Sequence, residues 1–214
     1  MADRVPLDFD PPVRQIRALL LGVDDRDLPA STPCPGWPVA ALLDHLMGLS
    51  LAFAMTARKR AGAPGTGGPP PEPSAAHLSP HWRSRLPVLL ADLSIAWKDP
   101  AAWTGTAQAG GVTMPAAAMG AVAMNELVMH GWDLARATGQ DYAADPRALE
   151  VLVEFLGQGP SEGTPGLFGP RVLTDPASED LLTRALGLAG RDPAWRPPRR
   201  RPVSSTSRSR PTGG

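Results

Sequence analysis

Proline and glycine constrain this chain more than any other feature. They fill 26 and 22 of its 214 positions and gather in clusters. Proline breaks helix interiors and glycine loosens them, so each cluster marks an element boundary or a loop. Between clusters, apolar residues recur every three or four positions, the helical period. The first such stretch runs from about Pro11 to Val23, with Val13, Ile16, Leu19, Leu20 and Val23 on one stripe. A second, opened by Pro38 and reaching about Arg60, carries Leu42, Leu46, Leu49 and Phe53. A third, about His81 to Trp97, carries Leu86, Leu89, Leu90, Leu93 and Trp97. The fourth spans about Pro115 to Thr138 and stops at Gly139, as a helix C-terminus prefers. Shorter segments, about Pro146–Leu156 and Pro176–Leu188, flank a Gly/Pro loop at 157–170.

No β-type alternation is evident. The pattern predicts an all-α fold: a four-helix bundle with additional short C-terminal helices, one domain over residues 8–195. Residues 61–76 hold five Pro and four Gly and almost no bulky apolar side chain, so a mobile loop is expected there. Residues 196–214, rich in Arg, Pro and Ser, are expected to be a disordered tail.

Charge and composition exclude several functions. The formal net charge is zero, but residues 191–214 hold seven Arg against one Asp, leaving an acidic body. No basic stripe crosses the predicted helices, so no specific nucleic-acid partner is expected. One cysteine, Cys34, excludes a disulfide framework. The start, MADRVPLDFDPP, lacks a signal pattern, and no unbroken run of about 18 apolar residues suggests a membrane span. A cytoplasmic protein is the expectation.

The chemistry-bearing anomaly lies on the second and fourth helices. His45 falls three after Leu42 and four before Leu49, on their inward face. Glu126 and His130, four apart, share the inward stripe of the fourth helix with Met119 and Val122. A buried carboxylate costs several kcal/mol (order of magnitude) unless it is paired or coordinated. A divalent metal would answer that cost, and two imidazoles with one carboxylate form a catalytic zinc ligand set with a position left open. A core histidine is, however, more often simply hydrogen-bonded, and an E-x-x-x-H pair often forms only an ion pair. Spacing alone leaves both readings open.

The segments TPCPGWPVAALLDHLMG (32–48) and NELVMHGWDLARATGQ (125–140) resemble the two signature blocks of the mycothiol-dependent maleylpyruvate isomerase N-terminal, metal-binding domain family, within the DinB-like superfamily. DPAAW (99–103) and GRDPAW (190–195) also fit that family, and LFGPRV (167–172) resembles the closing part of a small actinobacterial-type subgroup of stand-alone members. The resemblance implies a divalent metal, usually zinc, held by His45, Glu126 and His130. It also implies a low-molecular-weight thiol such as mycothiol as cofactor, and hence a thiol transferase or isomerase acting on a small electrophile. The isomerase itself completes its active site with a further C-terminal domain, which residues 140–195 are too few and too helical to supply. A non-catalytic metal-binding module, acting in sensing or partner contact, is the alternative.

Other residues carry weaker signals. Asp133 is placed either to orient a ligating imidazole or to make a surface hydrogen bond. Asp44 points about 100° away from His45. Trp37 and Trp132 are expected to pack the bundle ends. Pro80 separates His77 from His81, which argues against a shared helical face. Cys34, between two prolines and without a basic neighbour in sequence, reads as a packed thiol. The exposed face of the last two helices offers a homodimer contact that the pattern does not demand.

Overall fold

The computed structural model describes residues 6–60, 62, 67–163, 169–175 and 180–198. Its helices are α1 (Asp10–Leu21), α2 (Val39–Ala57), α3 (Trp82–Trp97), α4 (Ala116–Thr138), α5 (Pro146–Gly157) and α6 (Leu181–Leu188). Each expected helical stretch is present. The start foreseen for the last one at Pro176, the residues 199–214 of the expected tail, and parts of the 61–76 and 157–170 loops lie outside the described residues.

The fold is mostly α-helical. α1 and α2 each pack against both α3 and α4, and α5 and α6 pack together beside α4. Ile16, Leu42, Leu43, Leu46, Leu86, Leu90, Leu93 and Leu127 are fully enclosed where these helices meet. Helix ends follow local chemistry. Pro11 and Pro12 open α1, where a missing N–H costs nothing. Asp145 caps α5 by accepting from Ala148 N at 3.0 Å, and Asp180 caps α6 through Leu182 N at 3.1 Å. Gly139 ends α4 in the left-handed region, φ 69°. At Gly120, in the second turn of α4, a β-carbon would collide with the Trp103 ring, so that glycine lets the indole seat against the helix.

One expectation needs correction. A hairpin, β1 (Thr106–Ala109) and β2 (Val112–Pro115), stands where no strand was foreseen. Its two-residue turn is Gly110-Gly111, both at positive φ, a strong hairpin turn. The strands bury little, and residues at and just beyond the end of α2 anchor this segment through its backbone. Thr56 Oγ1 donates to Gln108 O at 2.7 Å, and Lys59 Nζ donates to the carbonyls of Ala102, Thr104 and Thr106 at 3.0–3.1 Å. α2 is by length and composition apolar enough to cross a membrane, with polar residues interspersed. Of its most apolar window, 61% is buried inside this fold, which accounts for the hydropathy.

Candidate metal centre

α2 and α4 face each other at the end of the core nearest the 32–38 turn. There His45, the seventh residue of α2, meets Glu126 and His130 of α4. Glu126 Oε2 lies 3.2 Å from His45 Nε2 and 3.2 Å from His130 Nε2. The ligand atoms of all three lie within 4.8 Å of one another. Two donors about 2.0–2.1 Å from a tetrahedral ion stand ~3.3 Å apart, so the measured separations suit a shared cation. Burial alone would raise the Glu126 pKa, but hydrogen bonds from His130 and His45 outweigh it and hold the carboxyl well below the usual range. His130 is driven the other way. Burial opposes its charge, yet hydrogen bonds with Asp133, Cys34 and Glu126 keep the imidazole protonated well above its ordinary value.

The second nitrogen of His130 is equally committed. Its Nδ1 lies 2.9 Å from Asp133 Oδ2, and Asp133 has no exposed surface. Burial would raise the Asp133 pKa; the His130 hydrogen bond and the Arg191 charge lower it instead. Arg191 grips that carboxylate with Nε at 3.1 Å from Oδ1 and Nη2 at 3.1 Å from Oδ2. Cys34 Sγ completes the cluster, 3.0 Å from Asp133 Oδ2 and 3.4 Å from Arg191 Nη2. Cys34, His130 and Asp133 form a second group with metal-ligand spacing. The guanidinium already neutralises that carboxylate and lies against the sulfur, so a cation is disfavoured there on electrostatic grounds. The His45–Glu126–His130 face has no guanidinium hydrogen-bonded to its carboxylate among the described residues and opens on a cleft of about 320 Å³, which Arg191 also lines.

The family model of the mycothiol maleylpyruvate isomerase N-terminal domain matches residues 9–135. The chain belongs to that family. Its fold is shared with the crystal structure of a mycothiol-dependent maleylpyruvate isomerase, at 19% identity and a TM-score of 0.54, covering 69% of this chain and 65% of that one. A histidine-to-alanine mutant of that isomerase matches over the same shares, at 20% identity and a TM-score of 0.53. The chain thus spans less than two thirds of the isomerase it resembles. No curated protein matches. The family match ends at residue 135, so Arg191 lies beyond it.

Within this family member, the structure brings His45, Glu126 and His130 together as the sequence pattern suggested. Asp133 takes the imidazole-orienting position, the first of its two readings. Asp44 turns away from His45 to accept from Ser74 N at 3.2 Å. His77 ends a 3-10 turn (Ala75–His77) and His81 precedes α3, so they share no helical face. Trp132 is buried, in keeping with packing. Trp37 is placed differently from the expectation. Its ring lies 4.9 Å from that of His45 and 5.9 Å from that of His130, so it walls the site.

Cys34 also departs from its reading as a merely packed thiol. Its basic neighbours, absent from nearby sequence, arrive from α4 and the C-terminal segment. Both residues are held by the 32–38 turn, in which Thr32 Oγ1 accepts from Cys34 N at 3.1 Å and donates to Trp37 O at 2.8 Å. Arg191, counted with the tail from its charge, belongs to the site. The signal that could have found it was the GRDPAW block, whose arginine has a partner only in three dimensions.

Proposed function

We propose that this chain binds one divalent cation, zinc by its donor set, through His45, Glu126 and His130. We further propose that it uses the cation to engage a low-molecular-weight thiol of the mycothiol type, for transfer or isomerisation of a small electrophile. One observation carries the reading: a half-buried carboxylate set between two imidazole Nε2 atoms at 3.2 Å each, at the wall of an open cleft. Such an ion lowers the pKa of a thiol or water that reaches it. The chain's own residues supply the rest. Asp133 fixes the His130 ring and turns Nε2 toward the cleft, while Arg191 keeps Asp133 ionised. Trp37 covers one side of the paired imidazoles and limits water there. The thiol dependence is supported by the name of the isomerase that shares the fold, and by family membership.

A second reading is a metal-binding module without catalysis, which needs the same ligand set and no thiol. Two measurements test the proposal. The metal content of the purified protein should fall to background in Glu126→Ala and His130→Ala; full retention in both would refute the ligand set. The absorption of cobalt-substituted protein should shift when mycothiol is added. An unmoved spectrum would refute the thiol role and leave the binding module.

A further inference from the structure

α4 presents two adjacent stripes to the cleft. Glu126 and His130 form one, and Asn125 and Met129, each one position earlier, form the other. Asn125 is 3% exposed, and its amide oxygen has no hydrogen-bond partner among the described residues. Burying an unpaired amide oxygen is costly, and such groups in folded proteins call for an explanation. Asn125 lines the same cleft as His45, Glu126 and His130. Its oxygen has almost no accessible surface, so a ligand docked beside the metal face satisfies it as the amide turns about its terminal torsion, a broad and soft one. An amide oxygen accepts hydrogen bonds only, which selects a ligand that donates one.

We propose that Asn125 is the ligand-selecting residue of this cleft: its amide oxygen accepts a hydrogen bond from an N–H or O–H group carried by the thiol that docks beside His45, Glu126 and His130. The inference rests on the thiol reading above and adds the class of thiol, one bearing a hydrogen-bond donor near its sulfur. Sites that hydrogen-bond a ligand discriminate strongly against analogues lacking the donor, because the protein group is then left unpaired.

The test uses cobalt-substituted full-length protein and its Asn125→Leu and Asn125→Ala variants, titrated by absorption with three probes. Two of them, 2-mercaptoethanol and N-acetylcysteamine, carry a donor; 1-propanethiol does not. In Asn125→Leu the tighter donor-bearing thiol should lose about tenfold in affinity, the loss of one buried hydrogen bond. The affinity for 1-propanethiol should hold within about twofold on the same arithmetic. The Tm of the thiol-free protein should hold or rise, because an apolar side chain of similar size replaces an unpaired amide. Asn125→Ala should show the same selective loss if the leucine is not accommodated. Equal losses for all three thiols, no loss for any, or a lowered Tm with proportional losses would overturn the proposal. If no probe perturbs the wild-type spectrum, the thiol reading fails and this inference with it; binding without dependence on Asn125 refutes this inference alone.

Discussion

Asp133 and Arg191 make the sharpest residue-level case. Asp133 is enclosed completely, and its charge is tolerated because Arg191 and His130 meet it from two sides. Removing one partner of such a group leaves the other buried and unpaired, at a cost of about 3–5 kcal/mol. Arg191→Met should therefore lower the unfolding free energy by about that amount, read by urea denaturation. Asp133→Asn should in addition weaken metal affinity by about 10–100-fold, measured by chelator competition. Unchanged affinity would mean that the carboxylate does not orient His130.

Protonation follows from the same contacts. The raised His130 pKa contributes stability that is fully present below its ordinary value of 6.5 and is lost as pH rises through the folded value. The lowered Glu126 pKa contributes stability present above its ordinary value of 4.5 and lost as pH falls through the folded value. Metal-free protein should thus be most stable between those two ordinary values, as far as this pair decides. A cation must displace the His130 proton, so metal affinity should rise steadily from about pH 6 to pH 8, with proton release on binding. Calorimetry in buffers of different ionisation enthalpy measures both; pH-independent affinity would place the ion elsewhere. His45, Glu126 and His130 were legible in sequence because polar residues stood on apolar stripes. Cys34–Arg191 and Asp133–Arg191 were not, because partners 157 and 58 positions apart leave no periodic trace.

At the scale of elements, periodicity located the helices well, since their buried faces decide them. Pro87 lies inside α3, yet the helix continues through it because Leu86, Leu90 and Leu93 are enclosed on the face packed within the core. The hairpin escaped the pattern for the opposite reason: its strands bury little, and its position is set by side chains of, and just beyond, α2. Lys59 is the principal anchor, so Lys59→Met should raise amide exchange across 106–115 while protection in α3 and α4 is retained. Exchange rates unchanged in the hairpin would show that its own ladder and Thr56 suffice.

Taken whole, the molecule divides differently from its charge count. The arginine-rich end reads as one segment in sequence, but its first member reaches back to the site, and Arg136 Nη2 holds Trp195 O at 2.7 Å. Deleting residues 199–214 should leave metal content and Tm unchanged. Truncation before Arg191 should reduce both, by the loss argued above for Asp133. The family match to residue 135 therefore covers the three candidate ligands but not the arginine that supports one of them. Cobalt titration of metal-stripped protein beside its Glu126→Gln and Cys34→Ser variants distinguishes the two candidate cation sites. One tetrahedral cobalt per chain is expected, lost in Glu126→Gln and kept in Cys34→Ser. Loss in Cys34→Ser with retention in Glu126→Gln would contradict it and move the ion to the Cys34–His130–Asp133 group.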